Sequence, residues 1–170
     1  MCGSCSLTRT RPADSDADGL AEFVHAEDAK RRLLFQLREL GLPVQPRDEQ
    51  AGTGLAFDLL SSATTKVITG HDNGIITLDL AEADPEHRER LRRQLGEPYR
   101  TLLGHFRHEI GHYDWSLLVS EGEVLDACRT LFGDDRLDYR DAVSRYYASA
   151  EDAAGWIDQH ISQYATMHPY

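Results

Sequence analysis

Long apolar runs are missing from this chain. The longest, such as Leu33-Leu34-Phe35 and Leu117-Leu118-Val119, are far short of a membrane span. The first twenty residues hold no apolar stretch of the secretory type, which excludes a visible signal peptide. Positive charge is scarce: 18 Lys and Arg stand against 29 Asp and Glu, a formal net charge of −11. A phosphate backbone repels such a surface, so nucleic acid is not an expected partner. Two basic stretches, 30–38 and 87–94, alternate with apolar or acidic residues at helical spacing and read as solvated helix faces. Cysteine is also sparse. Three residues exclude a disulfide framework, and free thiols without a signal peptide make the cytoplasm the default location.

What remains is an ordinary globular composition, 41% hydrophobic and 28% charged over 170 residues. That is enough chain for one domain with a real core. Cys128 sits alone in a helical pattern and reads as a small buried apolar residue. Cys2 and Cys5 form a Cys-x-x-Cys. A four-thiolate zinc site needs two such pairs, so this one reads as half of a zinc ribbon, with a redox pair or two free terminal thiols as the other readings.

The polar, turn-rich segment 8–19 reads as a loop or linker. Apolar residues then recur at helical spacing from Leu20 to Leu40, closed by Gly41 and Pro43. Residues 55–61 predict a short strand. Residues 66–80 predict a hairpin, because two β-branched runs flank Asn73-Gly74, which supplies the positive φ angles of a tight turn. Pro85 starts a charged helix that Gly96 ends, and Pro98 opens another that runs to about Val119. Three further helices are expected at 123–133, 138–148 and 155–165. The fold class is α+β: a small sheet with a hairpin, then a motif-bearing helix and further helices.

The chemistry concentrates in HFRHEIGHYDW, residues 105–115. His108-Glu109-Ile110-Gly111-His112 is His-Glu-x-x-His. Residues four apart share one helix face, so both imidazoles can reach one metal ion. Glu109 projects to the same side, offset around the helix, and can hold a water rather than bind the metal. Zn²⁺ with three protein ligands keeps an open position for that water. His108 and His112 are therefore the expected metal ligands and Glu109 the general base. His105 would lie a further turn away, roughly 5 Å along the axis, and reads as support for the ligands or as core. Leu102, Leu103, Phe106, Ile110, Tyr113 and Leu117 read as core, as does Trp115. Substitute third ligands within the chain are His160, His168, Asp114, Glu121, Glu123 and His71.

These stretches, with CGSC-LTRT, AKRRLLFQLRELGLP, TGHDNGIITLDLAEAD, GEPYRTLLGHFRHEIGHYDW and YATMHP, resemble bacterial zinc-binding metallopeptidases that carry an N-terminal zinc ribbon. The resemblance implies a zincin-like fold, a bound Zn²⁺ and a peptide or protein substrate. It implies that Cys2 and Cys5 are the last pair of the ribbon, a second metal site, with residues 1–19 its remnant and linker and 20–170 the metallopeptidase domain. It also implies a third zinc ligand, a glutamate on a downstream helix, expected just beyond Tyr170. In zincin folds an edge strand beside the active helix pairs with the extended substrate; Ile75, Ile76, Thr77 and Leu78 are the expected strand. The competing reading is a non-catalytic metal-binding or protein-interaction module. No feature of the sequence fixes an oligomeric state.

Overall fold

The computed structural model describes residues 2–63, 65–95, 100–119, 121–138, 140, 141 and 144. The chain divides into two compact units, Met1–Asp114 and Trp115–Tyr170. The expected helices at 138–148 (in large part) and 155–165 lie outside the described residues.

In the first unit, a single 3-10 turn at Cys5–Leu7 leads into β1 (Thr8–Thr10). Helix α1 (Ala17–Glu39) follows, capped by Asp16, whose side chain accepts from the Gly19 N–H. Then come β2 (Ala56–Leu60), β3 (Gly70–Asp72), β4 (Ile75–Asp79), α2 (Pro85–Gln94) and α3 (Leu102–Leu118). Asp84 caps α2 by accepting from Glu86 and His87 N–H groups, and Pro85 at the first turn needs no donor partner. α3 begins in the first unit and ends in the second, which also holds α4 (Gly122–Phe132). Mixed α+β architecture is thus established, with a four-stranded sheet in the order β1-β2-β4-β3.

Pairing is parallel between β1 and β2 and between β2 and β4, and antiparallel between β3 and β4. Period-two alternation puts Phe57, Leu59, Ile76 and Leu78 on one face, all 0% exposed. Leu33, Leu34 and Leu37 of α1 and Leu102, Phe106, Ile110 and Tyr113 of α3 complete that core. Phe57 meets Phe106 edge-to-face, with ring centroids 5.7 Å apart.

Several expectations change. Thr8–Thr10, expected in a linker, pairs with β2, and Leu7 joins the core. Arg9 sits on the Asp58 carboxylate, which lies on the opposite face of β2. Lys30, expected on a solvated face, is 0% exposed and bonds to Glu27 and Thr8, with its ammonium 5.3 Å from the Phe57 ring centre. The α2 stretch does behave as a solvated face and buries no residue. The first hairpin arm is shorter than expected, and Ile68 stands exposed outside it. Cys128 is half-buried on α4 and takes no place among the core residues described. Leu117 is exposed rather than core.

β4 also departs from expectation. Ile75–Asp79 pairs with β2 along its whole length, and Ile75, Ile76 and Thr77 pair with β3 on the other side. It is an interior strand, so the main chain of Ile75–Thr77 is committed to two neighbours, and Leu78 pairs with β2. The edge beyond β4 is β3.

Candidate metal centre

Helix α3 begins at a side-chain cap: the Thr101 hydroxyl accepts from the Gly104 N–H at 2.9 Å. Two anchors fix it against the rest of the unit. Arg107 donates twice to Gln36 Oε1 on α1, at 3.1 and 2.9 Å. Ahead of α3, Arg100 donates to Glu82 at 2.7 Å, and His105 Nε2 lies 3.5 Å from the same carboxylate. Burial pushes the Glu82 carboxyl up, but the Arg100 bond and the nearby His105 outweigh it, and the net shift is downward. Burial lowers the His105 imidazole despite Glu82. His105 therefore belongs to a buried Glu82–Arg100 cluster that seats the start of α3. That cluster is not legible from sequence, because Glu82 and Arg100 are 18 residues apart.

One turn on, the His108 and His112 rings meet edge-to-face, at 4.9 Å between centroids and 87° between planes. The four-residue spacing does what helix geometry requires of it. Glu109 lies between this histidine face and the core and is only 7% exposed. Burial raises its carboxyl to about 7. A buried carboxyl beside two imidazoles is the arrangement that could hold a water against a bound ion.

His71 reaches the same place from β3. Its ring lies nearly parallel to that of His112, at 6.1 Å and 11°, and edge-on to Tyr113 at 6.3 Å. Its Nε2 accepts the Gly74 N–H at 2.9 Å. Burial lowers the imidazole, against a small opposing effect of Asp72. Asp114 turns away from this face. It lines, with Leu33, Leu40, Arg107 and Gly111, an apolar cavity of about 470 Å³. Its Oδ1 is buried with no hydrogen-bond partner among the described residues, and burial raises the carboxyl. Glu121 and Glu123 lie in the second unit, and His160 and His168 lie outside the described residues.

The donor set suits zinc as far as it goes: two imidazoles from one helix turn, with a carboxylate placed beside them. Among the described residues no group of three or more His, Cys, Asp or Glu converges to hold a metal ion. The described part of the site thus presents two candidate ligands, His108 and His112.

At the N-terminus, the Cys2 and Cys5 sulfurs are 3.2 Å apart and the Cys5 N–H donates to Cys2 Sγ at 3.4 Å. The Cys5 N–H, the Cys5 thiol and the Ser4 N–H hold the Cys2 thiol down at about 7. The turn rests on α1 through Ser4, whose hydroxyl donates to Glu27 at 3.2 Å.

Known proteins are similar to this chain in sequence. Uncharacterised proteins of Mycobacterium bovis and of two Mycobacterium tuberculosis strains are each 55% identical to this chain over 169 residues, 99% of it and 49% of their own length. The chain thus spans about half the length of these curated relatives. No solved structure matches. No helix among the described residues is long and apolar enough to cross a membrane. Residues 19–170, the region that holds nearly all of α1, most of the sheet and the histidine helix, match the model of the family described as "Putative zinc-binding metallo-peptidase", and the chain belongs to that family.

Proposed function

We propose that the chain is the catalytic part of a zinc-dependent metallopeptidase of the His-Glu-x-x-His type and that its substrate is a peptide or protein. The observations that carry this reading are the buried Glu109, next in sequence to His108, and the paired His108 and His112 rings on the same helix α3. His108 and His112 supply two ligands, and the third comes from outside the described residues. Zn²⁺, when bound, polarises a carbonyl and acidifies a water. Glu109 takes the proton of that water as the new C–O bond forms. It then returns the proton to the amine nitrogen as the C–N bond breaks.

The sheet supports an extended substrate. In a two-residue hairpin the residues flanking the turn, Asp72 and Ile75, form the hydrogen-bonded pair, so the next pair, His71 and Ile76, does not. The N–H and C=O of His71 then face outward along the sheet edge. Strand addition belongs at β3 rather than β4. Cys2 and Cys5, with N–H groups directed at the Cys2 sulfur, fit a second metal site of the zinc-ribbon kind, carried on a turn whose following residues join the sheet of the first unit. Three free thiols suit a reducing cytoplasm.

The test is hydrolysis of an unstructured protein such as casein by full-length protein, with and without a chelator, and by Glu109→Gln. Loss of cleavage in both arms is expected; cleavage that survives Glu109→Gln contradicts the mechanism. The lack of a third converging ligand among the described residues favours a second reading, a non-catalytic metal-binding module. Tight zinc binding without hydrolysis in the full-length protein would establish it.

A further inference from the structure

The metallopeptidase reading accounts for His108, Glu109 and His112 but leaves His71 without a role. The core face of the sheet is otherwise made of Phe57, Leu59, Ile76 and Leu78, all fully buried. His71 is the cross-strand neighbour of Ile76 and so shares that face. An imidazole is an unusual choice there unless its polar atoms are used.

One of them is committed to the fold. Nε2 accepts the Gly74 N–H, and a backbone N–H can only donate, so the ring proton belongs on Nδ1. The ring is also held still. Gly74 has φ +82, and a Cβ on it would stand 2.2 Å from the Gly54 carbonyl oxygen. The Gly74 carbonyl accepts the Ala56 N–H at 2.9 Å, and Arg47 donates to the Asn73 carbonyl at 2.6 Å. The turn is thus pinned on two sides, and the ring it orients lies against His112 and Tyr113. His71 is thus a fixed donor beside His112, on the strand whose main chain faces outward.

We infer that His71 is a further catalytic residue, whose Nδ1–H donates to the scissile carbonyl oxygen as that oxygen gains negative charge. The inference rests on the metallopeptidase reading. Preorganised donors of this kind contribute about 10²–10³-fold in kcat when removed singly.

Two amide variants separate this role from a structural one. His71→Asn puts an amide N–H near the position of Nδ1 and drops the acceptor for Gly74. His71→Gln keeps an acceptor near Nε2 and drops the Nδ1 donor. In full-length protein, His71→Gln should lose about 10²–10³-fold in kcat, with KM changed by less than about 3-fold and zinc content intact. His71→Asn should retain most of the rate despite a lower melting temperature. A phosphinic peptide, whose tetrahedral anion mimics the charged oxygen, should bind the zinc-loaded His71→Gln protein more weakly by a similar factor in calorimetry. Rate and phosphinate affinity intact in His71→Gln would overturn the inference, as would loss of zinc from either variant, which would make His71 a ligand. Wild-type protein that binds no zinc would sink the metallopeptidase reading itself, and this role with it. Normal zinc and hydrolysis in both variants would sink the role of His71 alone.

Discussion

At the scale of single residues, two buried charges do opposite things. Glu109 sits in the core with its carboxyl raised to about 7 by burial. An acid whose folded pKa lies above its unfolded value destabilises the fold once pH exceeds the unfolded value, and fully so above the folded one. Metal-free Glu109→Gln should therefore be more stable than wild type at pH 8, by about 1–3 kcal/mol, and no more stable at pH 4. Urea unfolding at the two pH values checks this, and an equal gain at both would show that ionisation is not the cause. Lys30 is the converse case. Fully buried, it neutralises Glu27, which Ser4 and Thr8 also bond. Lys30→Met leaves a buried carboxylate without its cation and should cost about 3–5 kcal/mol, while Glu27→Leu with Lys30→Met should recover most of it. A single variant that unfolds within about 1 kcal/mol of wild type would mean that water reaches Glu27.

At the scale of elements, the hairpin turn holds the β3 edge and His71 together. Gly74→Ala forces a side chain into the left-handed region and against the Gly54 carbonyl. It should destabilise by about 2 kcal/mol or more, read by thermal unfolding, whereas Gly52→Ala, at φ +68 in open space, should show only the ordinary left-handed cost of about 1 kcal/mol. Much of the element level was legible in sequence. α1 and α3 announce themselves by spacing, α2 by Asp84-Pro85, and the turn by Asn73-Gly74, because each signal is local. The long-range pairings were not legible. Thr8–Thr10 is polar and short, and only its alignment beside β2 makes it a strand. β4 looks like an edge strand when read alone; its parallel partner β2 lies across a loop and a hairpin arm. Likewise the pairing of the His108 and His112 rings follows from helix geometry, while the approach of His71 to His112 depends on strand register.

At the scale of the whole molecule, three buried carboxylates link distant segments: Glu27 to Lys30 and the N-terminal turn, Asp58 to Arg9, and Glu82 to Arg100. Burial opposes ionisation in each, and the cationic and hydrogen-bonding partners more than reverse it, so all three folded values are lowered. Their stabilisation is present above the ordinary carboxylate range and is lost as pH falls through the lowered values. The stability deficit of Glu82→Gln should thus be largest near pH 7 and shrink below about pH 4, measured by denaturant midpoints; a deficit that does not change with pH would assign Glu82 a packing role only. The central claim is that His108 and His112 of α3 supply two ligands of a zinc site. The most direct test is zinc content and affinity of full-length protein as wild type, Glu109→Gln and His112→Ala. Near-stoichiometric zinc that survives Glu109→Gln and is lost in His112→Ala is the predicted result. Zinc unaffected by His112→Ala would contradict it.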